Sequence, residues 1–197
     1  MSKDEKIKRK VIRISMLGDS AVGKTSIINS FLGEQFSDVY LTTIGKDKLK
    51  KEMKMKDGQT IKIIIWDTAG QERFHSLAAN TIKGSHGIGL TFDLTRKNTF
   101  DNLKIWLKDI KEINDLIPIV LFGNKCDIIE KREVTDNDVK TFLNEYKFQY
   151  FETSAKMNIN IEQGFSTLAE LAYETSSGDK SEVDLENPKK KTKNKFC

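Results

Sequence analysis

The residues Gly18-Asp19-Ser20-Ala21-Val22-Gly23-Lys24-Thr25 follow the spacing G-x-x-x-x-G-K-[ST], and their chemistry is that of a loop wrapped around a phosphate. Glycines there let backbone N–H groups turn toward an anion, and a helix starting at the loop adds about half a positive charge. Lys24 can reach the outer phosphates, and Thr25 can offer its hydroxyl to Mg²⁺. Downstream, Thr43 is a hydroxyl able to complete the Mg²⁺ shell when a third phosphate is present, and Asp67 a carboxylate able to hold the ion through water. Gly70 can set an N–H against the terminal phosphate. Gln71 can orient an attacking water, since phosphoryl transfer demands positioning and charge neutralisation rather than a strong base.

A base is read by Asn124-Lys125-Cys126-Asp127. The Asp127 carboxylate can accept hydrogen bonds from N1–H and the 2-amino group of guanine, whereas adenine offers neither there; an unpaired buried acceptor costs about 1–3 kcal/mol or more. Lys125 can lay its alkyl stem over the ring, and Asn124 can brace neighbouring loops. Glu152-Thr153-Ser154-Ala155-Lys156 adds a second contact through the Ala155 N–H. Singly, each stretch has a plainer reading: a glycine-containing turn, a capping Asp, a solvent-facing Gln, a polar turn after a strand. Their shared order and placement raise them above it.

The elements that must position these residues follow from hydrophobic period. Val11 to Leu17 reads as a strand into the first loop, and Ile27, Ile28, Phe31 and Leu32 as one face of the helix after it. Residues 33 to 45 form a long connection without strong helix or strand character. Asp57-Gly58 joins a hairpin of Lys46–Met55 and Thr60–Trp66, the first lysine-rich as an edge strand guarded against aggregation, the second nearly continuously apolar and central. Strands at Ile88–Asp93, Ile117–Gly123 and Gln149–Glu152 then alternate with helices at Thr99–Ile113, Asp136–Tyr146 and Ile161–Tyr173. That alternation specifies a six-stranded, mostly parallel α/β sheet with one antiparallel edge strand and helices on both faces, with ligands at the carboxyl ends of the strands.

Composition narrows the class. Net charge is +4, but residues 1–10 hold five Lys/Arg against two acids and residues 176–197 six Lys against four, leaving the centre near neutral. A nucleic-acid-binding face on the domain is therefore not expected. No 18-residue apolar run or signal peptide is present, so a cytosolic protein is expected. Two cysteines make neither a disulfide framework nor a metal site; Cys126 reads as a small buried residue, and neither His75 nor His86 has metal-ligand spacing. The expected division is a flexible basic N-terminus (1–10), a domain (11–175) and a disordered polybasic tail (176–197) ending in Cys197.

In order and spacing, Gly18–Thr25, Thr43-Ile44-Gly45, Trp66-Asp67-Thr68-Ala69-Gly70-Gln71-Glu72-Arg73-Phe74, Asn124–Asp127 and Glu152–Lys156 resemble the motifs of Ras-superfamily small GTPases, and among them Rabs, over residues 11 to about 174. The resemblance implies a P-loop G domain that cycles between GDP and GTP with Mg²⁺, with Gln71 and Lys24 catalytic and Thr25, Thr43 and Asp67 at the metal. It extends the nucleotide contacts over Gly18, Asp19, Ser20, Ala21, Val22, Gly23, Lys24, Thr25 and Ser26, with Phe36 stacking on the guanine edge and Tyr40 over the phosphates. Gly70, Asn124, Lys125, Asp127, Ser154, Ala155 and Lys156 complete the set. It also implies an exchange factor, an activating protein and effectors meeting the Thr43 and Gly70 regions, in vesicle trafficking. No arginine is placed as a built-in finger, so turnover should be slow, on the order of 10⁻⁴ to 10⁻² per second. The alternative within the fold is a GTP-binding interaction module with little or no turnover. A P-loop kinase would need a lid with arginines, but Arg9, Arg13, Arg73, Arg96 and Arg132 are scattered.

Several positions depart from the Rab pattern. Lys46-Asp47-Lys48 follows Gly45 where a hydrophobic residue, an acid and a phenylalanine are usual, and Thr81 or Ile82 stands for the tyrosine that, with that phenylalanine and Trp66, forms an aromatic trio read by partners. Partner choice should therefore not follow common Rab rules. Ala21 replaces the usual glycine, with left-handed backbone geometry the one obstacle. The tail Lys189-Lys190-Lys191-Thr192-Lys193-Asn194-Lys195-Phe196-Cys197 ends in one cysteine where Rabs usually carry two; its prenylation plus the polybasic run would supply the two signals a stable anchor needs on the cytosolic face of an internal or plasma membrane.

Overall fold

Strand β1 (Val11–Leu17) carries isoleucines two apart, Ile12 and Ile14, both fully buried. This period places one face of the strand against helices, and Ser15, Met16 and Leu17 bury both faces as the strand reaches the centre of the sheet. The computed structural model describes residues 10–36, 48–67 and 75–177, with backbone alone at 48, 75–78 and 177. Around β1 it assembles β2 (Lys48–Lys54), β3 (Thr60–Trp66), β4 (Gly87–Asp93), β5 (Ile119–Asn124) and β6 (Gln149–Glu152) in the order β2-β3-β1-β4-β5-β6. Only β2 runs antiparallel to its neighbour; the other pairings are parallel, as the alternation of elements requires.

Two apolar layers sandwich the sheet. On one side α1 (Lys24–Leu32) and α6 (Ile161–Ser177) pack Ile27, Ile28, Phe31, Phe165, Leu168 and Ala172 onto the isoleucines of β1 and β3, with Phe31 and Phe165 stacked at 4.0 Å. On the other, Ile82 of α2 (His75–Lys83), Phe100 of α3 (Lys97–Asp101), Leu103, Leu107 and Ile110 of α4 (Leu103–Ile113), and Val139 and Phe142 of α5 (Asp136–Tyr146) cover β4 and β5, which are buried throughout. The start of α5 is fixed by a reciprocal cap between Thr135 and Asp138.

Some boundaries differ from the sequence reading. The helix expected over Thr99–Ile113 is two helices that meet at Asn102, whose side chain is drawn away to Asp19. Helix α2 was not anticipated, β5 begins after Pro118, and α6 runs on to Ser177. β3 lies inside the sheet, but only Ile61, Ile63 and Ile65 are fully buried, while Lys62, Ile64 and Trp66 remain half-covered. Lys51, which breaks the apolar face of β2, lies over the Phe31 ring at 3.8 Å and donates from Nζ to the Phe31 carbonyl at 2.6 Å and to Glu162 at 2.8 Å. Its stem covers core while its charge meets the carboxyl end of α1. Cys126 is half-buried rather than buried, because its turn lies at the rim of the sheet; burial still pushes its thiol pKa up.

His86 follows α2 and is locked to β1. Its N–H donates to the Arg13 carbonyl at 2.7 Å, the Arg13 N–H donates to its Nδ1 at 3.1 Å, and the Arg13 Nη2 lies 2.9 Å from its Nε2. Burial, with the charges of Arg13 and Lys10, depresses its pKa to about 4. The unfolded chain therefore binds more protons than the folded one between about pH 6.5 and 4, and stability falls as the pH drops through that window. Urea unfolding at pH 7, 5.5 and 4.5 should show the wild-type protein losing on the order of 2 kcal/mol that His86→Asn does not lose.

Candidate functional site

The carboxyl ends of β1, β3, β4, β5 and β6 converge on the loop Gly18–Thr25. Its backbone is set by close approach: Gly18 has φ +136° and a Cβ there would stand 2.0 Å from the Thr91 carbonyl of β4, while Gly23, the N-cap of α1 at φ +98°, would drive one to 2.3 Å from Asn124 Nδ2. Side chains at those two positions are sterically forbidden.

Six consecutive loop carbonyls are each taken by a donor. Lys24, only 4% exposed, donates from Nζ to Gly18 O at 2.6 Å and Asp19 O at 2.9 Å. Arg96 Nη2 holds Ser20 O at 3.0 Å, Lys125 Nζ holds Ala21 O at 3.1 Å, Asn124 Nδ2 holds Val22 O at 2.8 Å, and the Ile27 N–H bonds Gly23 O at 2.9 Å. The N–H groups of Asp19 to Gly23, by contrast, donate to no described residue. With carbonyls held on one side, a peptide plane must present its N–H on the other; the result is a concave row of donors at a helix N-terminus.

Behind the loop stands Asp93, wholly buried at the end of β4. It accepts from the Thr95 N–H at 2.9 Å and hydroxyl at 2.7 Å, from Arg96 Nε at 2.9 Å and from Lys125 Nζ at 2.6 Å. Burial alone would raise its pKa, but the Lys125 and Thr95 bonds outweigh it and hold the carboxyl below its ordinary value. Asp19 is fastened from its side chain, by Asn102 Nδ2 at 2.7 Å and Trp106 Nε1 at 2.9 Å.

On the base-reading side, Asn124 is 2% exposed and braces two loops at once, Val22 by its amide and Ala155 by its carbonyl oxygen. The Ala155 N–H donates to Asn124 Oδ1 at 3.3 Å. Lys125 turns at φ +67°, Asp127 is half-buried, and Lys156 Nζ lies 5.9 Å over the ring of Phe36, which is 40% exposed. Ser154 is buried, its hydroxyl accepting from the Met157 N–H, and the strand that delivers it is tied down by a two-pronged Arg132–Glu152 pair at 2.7 Å in each arm. That contact lowers the Glu152 pKa, while burial first, and then the neighbouring Glu152 carboxylate, push the Tyr150 phenol pKa up against the opposing charge of Arg132.

At the metal-reading positions, Thr25 lies in the first turn of α1 and Asp67, 3% exposed, directly follows β3, where pairing of Ser15 with Trp66 sets it level with the approach to the loop. A hydroxyl and a carboxylate are hard oxygen donors of the kind Mg²⁺ accepts. Ser26 lies beside Thr25 in the first turn of α1. Tyr40, Thr43, Gly70 and Gln71 lie outside the described residues, as does Cys197. Of the aromatic-trio positions, Thr81 and Ile82 are buried in the core-facing side of α2, and the Trp66 ring lies under Gly84.

Four residues that build this site were not singled out for it from sequence: Asp93, Arg96, Asn102 and Trp106. Only Asp93 left a signal, an acid closing an otherwise apolar buried strand. The others bond to loop atoms 76 to 87 residues away, a relation no local pattern carries.

A P-loop between β1 and α1 on a sheet of this order defines a nucleotide-binding α/β domain. Residues 13–174 match the sequence model of the Ras family, and the chain belongs to that family. It is 39% identical to the Ras-related protein Rab-10 of Diplobatis ommata over 89% of both chains, and 36% identical to Rab-13 of Rattus norvegicus over 94% of this chain and 95% of that one. Rab-8A of Bos taurus is 38% identical over 81% of this chain and 77% of its own. The chain is thus a Rab-like small GTPase, a GTP hydrolase built on the G-domain fold.

Removing the charge of the wholly buried Asp93 would leave the half-exposed cations Arg96 and Lys125 facing each other. Asp93→Asn should lower stability by about 2–4 kcal/mol at pH 7. Because the carboxyl titrates below its ordinary value when folded, that difference should shrink as the pH falls through the acid range, which urea titrations at pH 7 and pH 3.5 would read.

Proposed function

We propose that this chain is a nucleotide-controlled switch that recruits effectors to a membrane in its GTP state, and that the residues assembled above perform the steps of its cycle. The observation that supports this most is the run of six loop carbonyls each held by a donor, which leaves the N–H groups of Asp19 to Gly23 for an anion. Such a row binds a polyphosphate without reorganising, and Lys24 adds its charge at the outer phosphates. Asp127 selects guanine by accepting from N1–H and the 2-amino group, Lys125 packs its stem on the ring, and Phe36 with Lys156 closes the base from the other side.

In hydrolysis, Gln71 holds a water in line with the γ-phosphorus. The water oxygen bonds to phosphorus as the bond to the β–γ bridging oxygen breaks; the water proton passes to the released phosphate and the electron pair stays on GDP. Mg²⁺, held by Thr25, Thr43 and Asp67, supplies charge neutralisation on the phosphates when bound. No described arginine reaches the inner side of the loop, so an activating protein should provide the missing positive charge. Loss of the third phosphate releases the Thr43 and Gly70 regions, which is how partners tell the two states apart. Among the described residues no helix is long and apolar enough to cross a membrane; attachment would rest on the basic tail and a prenyl group on Cys197.

Two measurements test this. Protein loaded with GTP should release phosphate in a single turnover, Gln71→Ala should slow release at least about tenfold while retaining the nucleotide, and Asp127→Ala should weaken GTP about a hundredfold or more without gaining ATP. Phosphate never released, even with activating domains added, would leave a GTP-binding module. Intact mass of protein from its native cell should exceed the sequence mass by a prenyl group at Cys197; an unmodified mass would remove the anchor.

A further inference from the structure

The loop contains one residue whose backbone is costly for its type: Ala21 has φ +60°, in the left-handed region where a Cβ crowds the following carbonyl. It is solvent-exposed, so no packing of its own side chain holds it there. What holds it are the two carbonyls on either side of its Cα. Ser20 O receives Arg96 Nη2 at 3.0 Å, and Ala21 O receives Lys125 Nζ at 3.1 Å. Both cations are in turn fixed on the same oxygen of buried Asp93, at 2.9 and 2.6 Å. The Arg96 backbone is itself rigid, its carbonyl accepting from the Thr99 hydroxyl at 2.8 Å.

Neutralising Asp93 does not by itself explain Arg96. Lys125 and the two bonds from Thr95 already satisfy that carboxylate. The guanidinium grips a carbonyl on the outer side of the loop, so it cannot meet a phosphate bound on the inner side. Its remaining capacity is to act through the backbone.

We propose that Arg96 is a positioning residue that clamps the Ser20–Ala21 peptide against Asp93, holds Ala21 in its left-handed conformation while nucleotide is bound, and thereby lengthens the residence time of the nucleotide. Without the clamp, Ala21 relaxes out of the left-handed region, one N–H leaves the row, and the bound phosphates lose that donor, so the nucleotide escapes sooner. The inference rests on the reading of the loop as a guanine-nucleotide site.

The test measures release of a fluorescently labelled GDP from wild type, Arg96→Met, Ala21→Gly and the double variant, in Mg²⁺ buffer. Arg96→Met should speed release on the order of tenfold, and Ala21→Gly alone should change it less than about threefold. Glycine has no left-handed penalty to relieve, so the double variant should return to within about threefold of wild type. A fold weakened merely by a disturbed Asp93 would not be repaired by a glycine at position 21. Arg96→Gln, which keeps a donor toward Asp93 but is too short for Ser20, should release GDP as fast as Arg96→Met and serves if the methionine variant does not fold. Wild type that holds GDP while Arg96→Met and Arg96→Gln release it at the wild-type rate overturns the clamp alone, as does a double variant as fast as Arg96→Met. Wild type that fails to bind GDP overturns the nucleotide reading and the clamp with it.

Discussion

The peptide planes of the phosphate loop are oriented by what holds their carbonyls. A flexible eight-residue loop could place its N–H groups in many directions, and fixing each residue costs about 1–2 kcal/mol of conformational entropy. Here Lys24, Arg96, Lys125, Asn124 and the first turn of α1 meet that cost in advance, each by a bond to a loop carbonyl. An anion arriving on the inner side finds donors already aligned, so the binding energy of the phosphates is not spent on ordering the loop.

Those holders are in place because of the sheet. Asn124 and Asp93 are the paired last residues of β5 and β4, so one register sets both behind the loop. Gly18 lies so close to Thr91 of β4 that the loop cannot lift away from the strand ends. A charged residue as deeply buried as Asp93 would ordinarily be a liability; with two cations and two Thr95 donors around it, it becomes the fixed point from which Arg96 and Lys125 reach forward.

Much of this was legible from the chain. The six strands, their parallel arrangement and the hairpin at Asp57-Gly58 follow from period and turn chemistry, and the motif residues Lys24, Asn124, Lys125 and Asp127 do fall at strand ends around one loop. What was not legible shares a physical cause. Asn102 divides a helix because its side chain is needed at Asp19, and Lys51 sits on an apolar face because it caps α1, a helix distant in sequence. In both places a tertiary contact overrides a local preference. The left-handed Ala21 is the converse case: the sequence marked the position as a departure, but only the contacts on either side show how the geometry is maintained.

The same division separates the phosphate loop from the β2–β3 end of the sheet. The residues that brace the loop reach it from β4, β5, α3 and α4, well away from the hairpin of β2 and β3. That hairpin has an open edge bearing exposed Lys50 and Lys54, with Trp66 tucked under Gly84 and buried Thr81 and Ile82 on the neighbouring helix. An aromatic surface for partners cannot be assembled from those last two positions, since neither is presented to solvent. Among the described residues no hydrogen bond couples β2 to Asp93 or its cations, so the exposed Lys50 and Lys54 of that strand stand apart from the bracing of the phosphate loop.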